Sequence, residues 1–159
     1  MPAFWAAAVR KFDAFRYRRR IRKALALHLR GEARRDGLRI KGISTQLDIE
    51  WYARDIHPWD RADFEEGRSE LFVRHTLADT EAAIGRLFSF LPEINAITVG
   101  VREQTSGNVI MAGTICRSAP PMPDTSLSLG MQLRRRGITY YSDGFRFESL
   151  GSIHEPDSS

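Results

Sequence analysis

Apolar residues in the first thirty positions recur at helical spacing, but on two different sides of one helix. At about 100° per residue, Phe4, Trp5, Ala8, Val9, Phe12 and Phe15 fall together, and the continuation of that side carries Arg16, Arg19, Arg22, Lys23 and Arg30. Tyr17, Ile21, Leu25 and Leu29 fall opposite. No proline interrupts the stretch from Phe4 to about Arg35, its alanine, leucine and arginine content favours helix, and Gly31 or Gly37 offers a stop. One straight helix cannot bury both stripes against one body. Either it breaks at Arg18-Arg19-Arg20, or its second half docks while the aromatic first half projects toward another surface.

After Gly37 the period falls to two. Leu47, Ile49, Trp51 and Ala53 alternate with Asp48, Glu50, Tyr52 and Arg54, the pattern of a half-buried strand. Leu38 and Ile40 belong to a short preceding strand or extension, with Gly42 at a bend or bulge. Asp60 or Asp63 can cap a helix running to about Leu91 and closed by Pro92. Its apolar face shifts from Phe64, Leu71 and Phe72 to Leu77, Ile84, Leu87, Phe88 and Leu91, which predicts a break near Thr76 to Asp79, with Asp79 as a second cap. Ile94 to Arg102 and Val109 to Arg117 form a hairpin around a turn-forming hexapeptide. The second of these runs is apolar on both sides, as in a strand covered on both faces. A proline-rich loop leads to a helix over about Thr125 to Arg136, ended by Gly137, and Ser142-Asp143-Gly144 marks a last hairpin. This order predicts an α+β domain with an antiparallel sheet, helices on one face and ferredoxin-like βαββαβ order, preceded by a long basic N-terminal helix. The expected organisation is a basic amphipathic arm over residues 1–36, an α+β domain over 37–150 and a flexible tail over 151–159. The second sheet face then needs cover, from Ile21, Leu25 and Leu29 of the arm or from the sheet of a second subunit in a homodimer.

Charge divides the chain the same way. Residues 1–41 hold 13 Lys+Arg against 3 Asp+Glu, a balance of +10, and residues 42–159 hold 11 against 17, a balance of −6. Such an arm either reaches an external polyanion or folds back on its own domain. The only lysines are Lys11, Lys23 and Lys41, so Walker-type phosphate loops, Schiff bases and acid-x-Lys nucleases are excluded beyond residue 41. No apolar run approaches the ~20 residues of a spanning helix. A secretory signal fits poorly, because the apolar stretch precedes the positive charges, and an organelle transit peptide would need serine, absent before Ser44. The single cysteine cannot form an internal disulfide, so the expectation is a cytoplasmic location, free or peripheral to a membrane.

Three kinds of partner suit the arm. Arg16, Arg18, Arg19, Arg20, Arg22, Lys23 and Arg30 can contact the phosphates of a nucleic acid without sequence preference. Phe4, Trp5, Phe12 and Phe15 can anchor in an anionic membrane surface or in a larger protein complex. Nucleic acid is favoured by a small margin, since eleven of the first 35 residues are cationic and only four are Phe or Trp. Asn108 to Arg117 lacks the aromatic platform of an RNA-recognition sheet. The competing reading is a metal-dependent hydrolase centred on Asp55, His57 and Asp60, where two carboxylates and an imidazole fall within six residues; Asp60 as helix cap, Pro58 as turn and Trp59 as staple explain the same cluster structurally. His75 reads as a core-edge residue, Cys116 as inert packing in a buried strand, and Arg134-Arg135-Arg136 as charge at a helix C-terminus. No motif implies a cofactor or a resident metal. The leading expectation is therefore a non-enzymatic binding or assembly module.

Overall fold

The computed structural model describes residues 2–25, 38–55, 65–117 and 126–153; the side chains of residues 2–13, 65–66 and 152–153 fall outside the description. In chain order the elements are α1 (Pro2–Leu25), β1 (Leu38–Ile43), β2 (Gln46–Tyr52), α2 (Glu65–Phe90), β3 (Ala96–Arg102), β4 (Val109–Cys116), α3 (Leu129–Arg135) and β5 (Ile138–Thr139), followed by a 3-10 turn at Leu150–Ile153. The described residues form an α+β fold with a five-stranded mixed sheet and three helices.

The strands lie side by side in sequence order, β1-β2-β3-β4-β5. Three neighbouring pairs are antiparallel, but β2 and β3 run parallel through a continuous register from Gln46↔Ala96 to Tyr52↔Arg102. This corrects both the antiparallel sheet and the ferredoxin-like order. A split arrangement needs other strands beside β2, and neither edge of β2 is open: the β1 hairpin holds one and β3 the other. The last strand stays on β4 instead, at Gly113↔Ile138. A side chain at Gly113 would collide with the Gly137 carbonyl, and Gly137 itself turns with φ 109°, so two glycines permit this close approach.

Alternation sends Leu47, Ile49 and Trp51 of β2 and Ile97, Val99 and Val101 of β3 to one face, where they meet Ile84, Leu87 and Leu91 in one core. β4 joins it with Met111 and Ile115. The apolar look of β4 on both sides comes from a bulge: Val101 pairs with Met111 and Arg102 with Val109, leaving Ile110 as the extra residue, buried beside Met111. Beyond the bulge the outward positions of β4 are Ala112, Thr114 and Cys116, and the last two are exposed. The second face is thus an open polar surface, with Gln46 donating to Thr98 Oγ1 (2.7 Å) and Thr98 bonded to Thr114 (2.9 Å). Cys116 lies on it, so its expected place in a buried interior is corrected.

α2 runs unbroken through Thr76 to Asp79, against expectation. Val73, Thr76, Thr80, Ala83, Ile84 and Leu87 form one continuous buried stripe. Two of its members are polar, and the Thr80 hydroxyl resolves its own burial by donating to the Thr76 carbonyl at 2.8 Å. Asp79 pairs with Arg54 of the β2 end and caps nothing. α3 is shorter than expected: Ser128 accepts from the Met131 N–H (3.4 Å) and starts it at Leu129 instead of about Thr125.

α1 is a single helix through Arg18-Arg19-Arg20, which leaves the docking alternative of the two. Ile21, Ala24 and Leu25 are buried in the same core as α2, on the helical side of the sheet and not on its open face. Each fully buried Ile or Leu contributes about 1.5–3 kcal/mol. The expected continuation to Arg35, the stop at Gly31 or Gly37, Leu29 and Arg30 lie outside the described residues.

Candidate functional site

The docked end of α1 fixes the rotation of the helix, and with it the face turned to solvent. Tyr17, Ile21, Ala24 and Leu25 face the body. At helical spacing the opposite side is centred on Arg19, with Phe15, Arg22 and Lys23 one turn away and Arg16 and Arg18 on its flanks. All six are exposed, Phe15 by 66%. From Phe15 to Lys23 this ridge is about 12 Å long at 1.5 Å per residue.

Arg20 is the exception. It lies on the body side of the helix, donates to Glu93 Oε1 at 2.6 Å and to the Phe90 carbonyl at 2.8 Å, and stacks over the Tyr17 ring at 5.3 Å. It closes the C-terminal end of α2 and helps dock α1, which makes it a docking residue and not part of the cationic ridge. The Glu93 backbone N–H, with the Arg20 guanidinium adding to it, holds the Glu93 carboxyl below its usual range, while burial raises the Tyr17 phenol. Among the described residues no ion pair neutralises Arg18, Arg19, Arg22 or Lys23. Three of the body's carboxylates are engaged elsewhere: Glu50 with Arg102 and Lys41, Asp79 with Arg54, and Asp55 with Arg68. The side chains of Phe4, Trp5 and Phe12, offered as anchors, lie outside the described residues.

A second feature, a concave one, sits at one end of the parallel pair. Beyond the carboxyl ends of β2 and β3, the chain of Ala53 to Asp55 and the turn starting at Glu103 meet the first turns of α2 and the last hairpin, enclosing a groove of about 480 Å³. Phe72 and Phe147 form its apolar part, edge to face at 6.1 Å, and Tyr140 continues the cluster at 5.9 Å from Phe147. Asp55 lines this groove, and His57 and Asp60 lie outside the described residues. Among the described residues no three His, Cys, Asp or Glu side chains gather as metal ligands. His75 is a half-exposed residue of α2 and stands apart from the groove lining. The groove residues Arg68, Glu103 and Arg146 were not singled out by pattern; the signal that could have found them is the parallel pairing of β2 with β3, which brings the residues after Tyr52 and Arg102 side by side.

Arg134, of the expected arginine trio, stacks on Tyr140 at 4.2 Å and donates to its carbonyl at 3.0 Å. It ties α3 to the following strand. No protein-family model, curated protein or solved structure matches the chain. No helix among the described residues is long and apolar enough to cross a membrane.

Proposed function

We propose that the protein is a non-enzymatic binding module whose first helix lays a cationic ridge on a polyanion, with nucleic acid preferred over an anionic membrane surface. One observation carries this reading: α1 is anchored by Ile21, Ala24 and Leu25, yet turns Arg16, Arg18, Arg19, Arg22 and Lys23 outward. Five cations on one exposed surface repel one another, and an external row of phosphates relieves that repulsion. The helix spacing suits phosphate contacts along a backbone, which position a protein without reading sequence. Nucleic acid is preferred because, among the described residues, the ridge offers five cations and one exposed ring, Phe15, whereas membrane docking draws most of its strength from buried apolar area.

Fluorescence anisotropy of labelled duplex DNA, set against sedimentation with anionic phospholipid vesicles, tests the choice. Saturable DNA binding that weakens steeply with salt is expected, with weaker retention on vesicles. Tighter binding to vesicles than to DNA, with helicity rising on lipid, would overturn the preference for nucleic acid.

A further inference from the structure

The groove at the carboxyl ends of β2 and β3 has a separate chemistry from the helix ridge. In open sheets, ligands sit beyond the carboxyl ends of parallel strands, where diverging connections leave a crevice. A volume of about 480 Å³ is within the range of small-molecule sites.

Its charges are sorted by wall. Asp55 and Glu103 follow neighbouring parallel strands and form an acidic wall. Arg68 on α2 and Arg146 on the last hairpin form a basic one, each close in sequence to a ring of the apolar floor: Arg68 one turn before Phe72, and Arg146 beside Phe147. A ligand with one charge would match one wall and desolvate the other. A ligand with both charges and an apolar body matches all three surfaces. The Arg68–Asp55 contact in the groove lining is 3.6 Å, longer than a hydrogen bond, between side chains 41% and 65% exposed. A bound carboxylate and ammonium can replace this loose pair without stranding a charge in the core.

We propose that this groove binds a small zwitterion with an apolar ring, of the class of free aromatic α-amino acids. The carboxylate lies toward Arg68 and Arg146, the ammonium toward Asp55 and Glu103, and the ring on Phe72 and Phe147.

Titration of the full chain with L-tryptophan, followed by amide NMR, tests this against tryptamine, which lacks the carboxylate, and indole-3-propionate, which lacks the ammonium. L-Tryptophan is expected to give saturable shifts at Ser69, Phe72, Thr105 and Phe147, with affinity at least roughly tenfold above either analogue, the scale of one lost charged hydrogen bond. Arg146→Gln should remove its advantage over tryptamine, and Glu103→Gln its advantage over indole-3-propionate; both positions are partly or fully exposed and leave the fold intact. Absence of saturable binding, an analogue that binds as tightly as L-tryptophan, or shifts confined to residues 15–23 would each overturn the assignment.

Discussion

α1 and α2 are both long helices packed on the same side of the sheet, yet they use their surfaces differently. α2 buries residues from Val73 to Leu87 along most of its length, and two of its three arginines, Arg68 and Arg74, pair with Asp55 and Glu70. Among its described side chains, those of residues 14–25, α1 buries Ile21, Ala24 and Leu25 and half-buries Tyr17, and one of its described cations, Arg20, meets a carboxylate of the body. α2 is therefore a structural beam, whereas the described part of α1 docks one side and turns outward Arg18, Arg19, Arg22 and Lys23, which make no ion pair among the described residues. The difference separates a helix whose side chains serve the fold from one whose outer side chains serve something else.

Substitutions can break or sharpen this contrast. The largest loss is expected from Leu87→Ala, at the centre of the α2 stripe: about 3–5 kcal/mol by urea unfolding, as for a cavity in a rigid core. Leu25→Ala, equally buried but at the end of the described helix, should cost about 2–3 kcal/mol because the end of α1 can settle into part of the space. An equal or larger loss there would make α1 as much a beam as α2.

Glu50→Gln comes next. The Glu50 carboxylate is nearly buried on the otherwise open sheet face, held by Arg102 at 2.5 and 3.3 Å and by Lys41 at 2.9 Å. Burial pushes its pKa up, but the hydrogen bonds from Arg102 and Lys41 outweigh burial and hold it below its ordinary value of about 4.5. A carboxyl with a depressed folded pKa stabilises fully above its unfolded value and loses that contribution as pH falls through the folded one. Glu50→Gln should therefore cost about 1–3 kcal/mol at neutral pH, and the gap to wild type should close in acid below pH ~4. A gap that widened in acid would contradict the assignment. Smallest among the stability effects is Arg20→Ala, below about 1 kcal/mol, because both partners of the Arg20–Glu93 pair are nearly half exposed.

Much of the fold could be read from local pattern. Leu47, Ile49 and Trp51 alternate as expected, and the two-sided apolar pattern of α1 correctly required that its second half dock if the helix stayed whole. Several of the failures depend on a partner distant in sequence. The bulge expected at Gly42 lies between Ile40 and Gly42, whereas the one at Ile110 adds a residue to β4 and changes which of its side chains face inward, so β4 imitated a doubly covered strand. The apolar face of α2 read as shifting near Thr76 to Asp79 because two members of its buried stripe, Thr76 and Thr80, are polar. Parallel pairing of β2 with β3 leaves no mark in either strand, and without it Asp55 could be noticed while Glu103, Arg68 and Arg146 could not. The ridge was legible because its residues share one helix; separating Arg20 from it required Glu93, 73 positions away.

The most direct test of the cationic ridge is the salt dependence of duplex DNA affinity in the wild type and in a variant carrying Arg16→Gln, Arg19→Gln, Arg22→Gln and Lys23→Gln. Counterion release by four phosphate contacts gives a slope of log K against log salt of roughly −3 to −4 in the wild type. In the variant the slope should fall toward zero, while its unfolding free energy stays within about 0.5 kcal/mol, as for surface positions. Equal slopes for the two proteins would contradict the account, as would a wild type with no affinity for DNA at low salt.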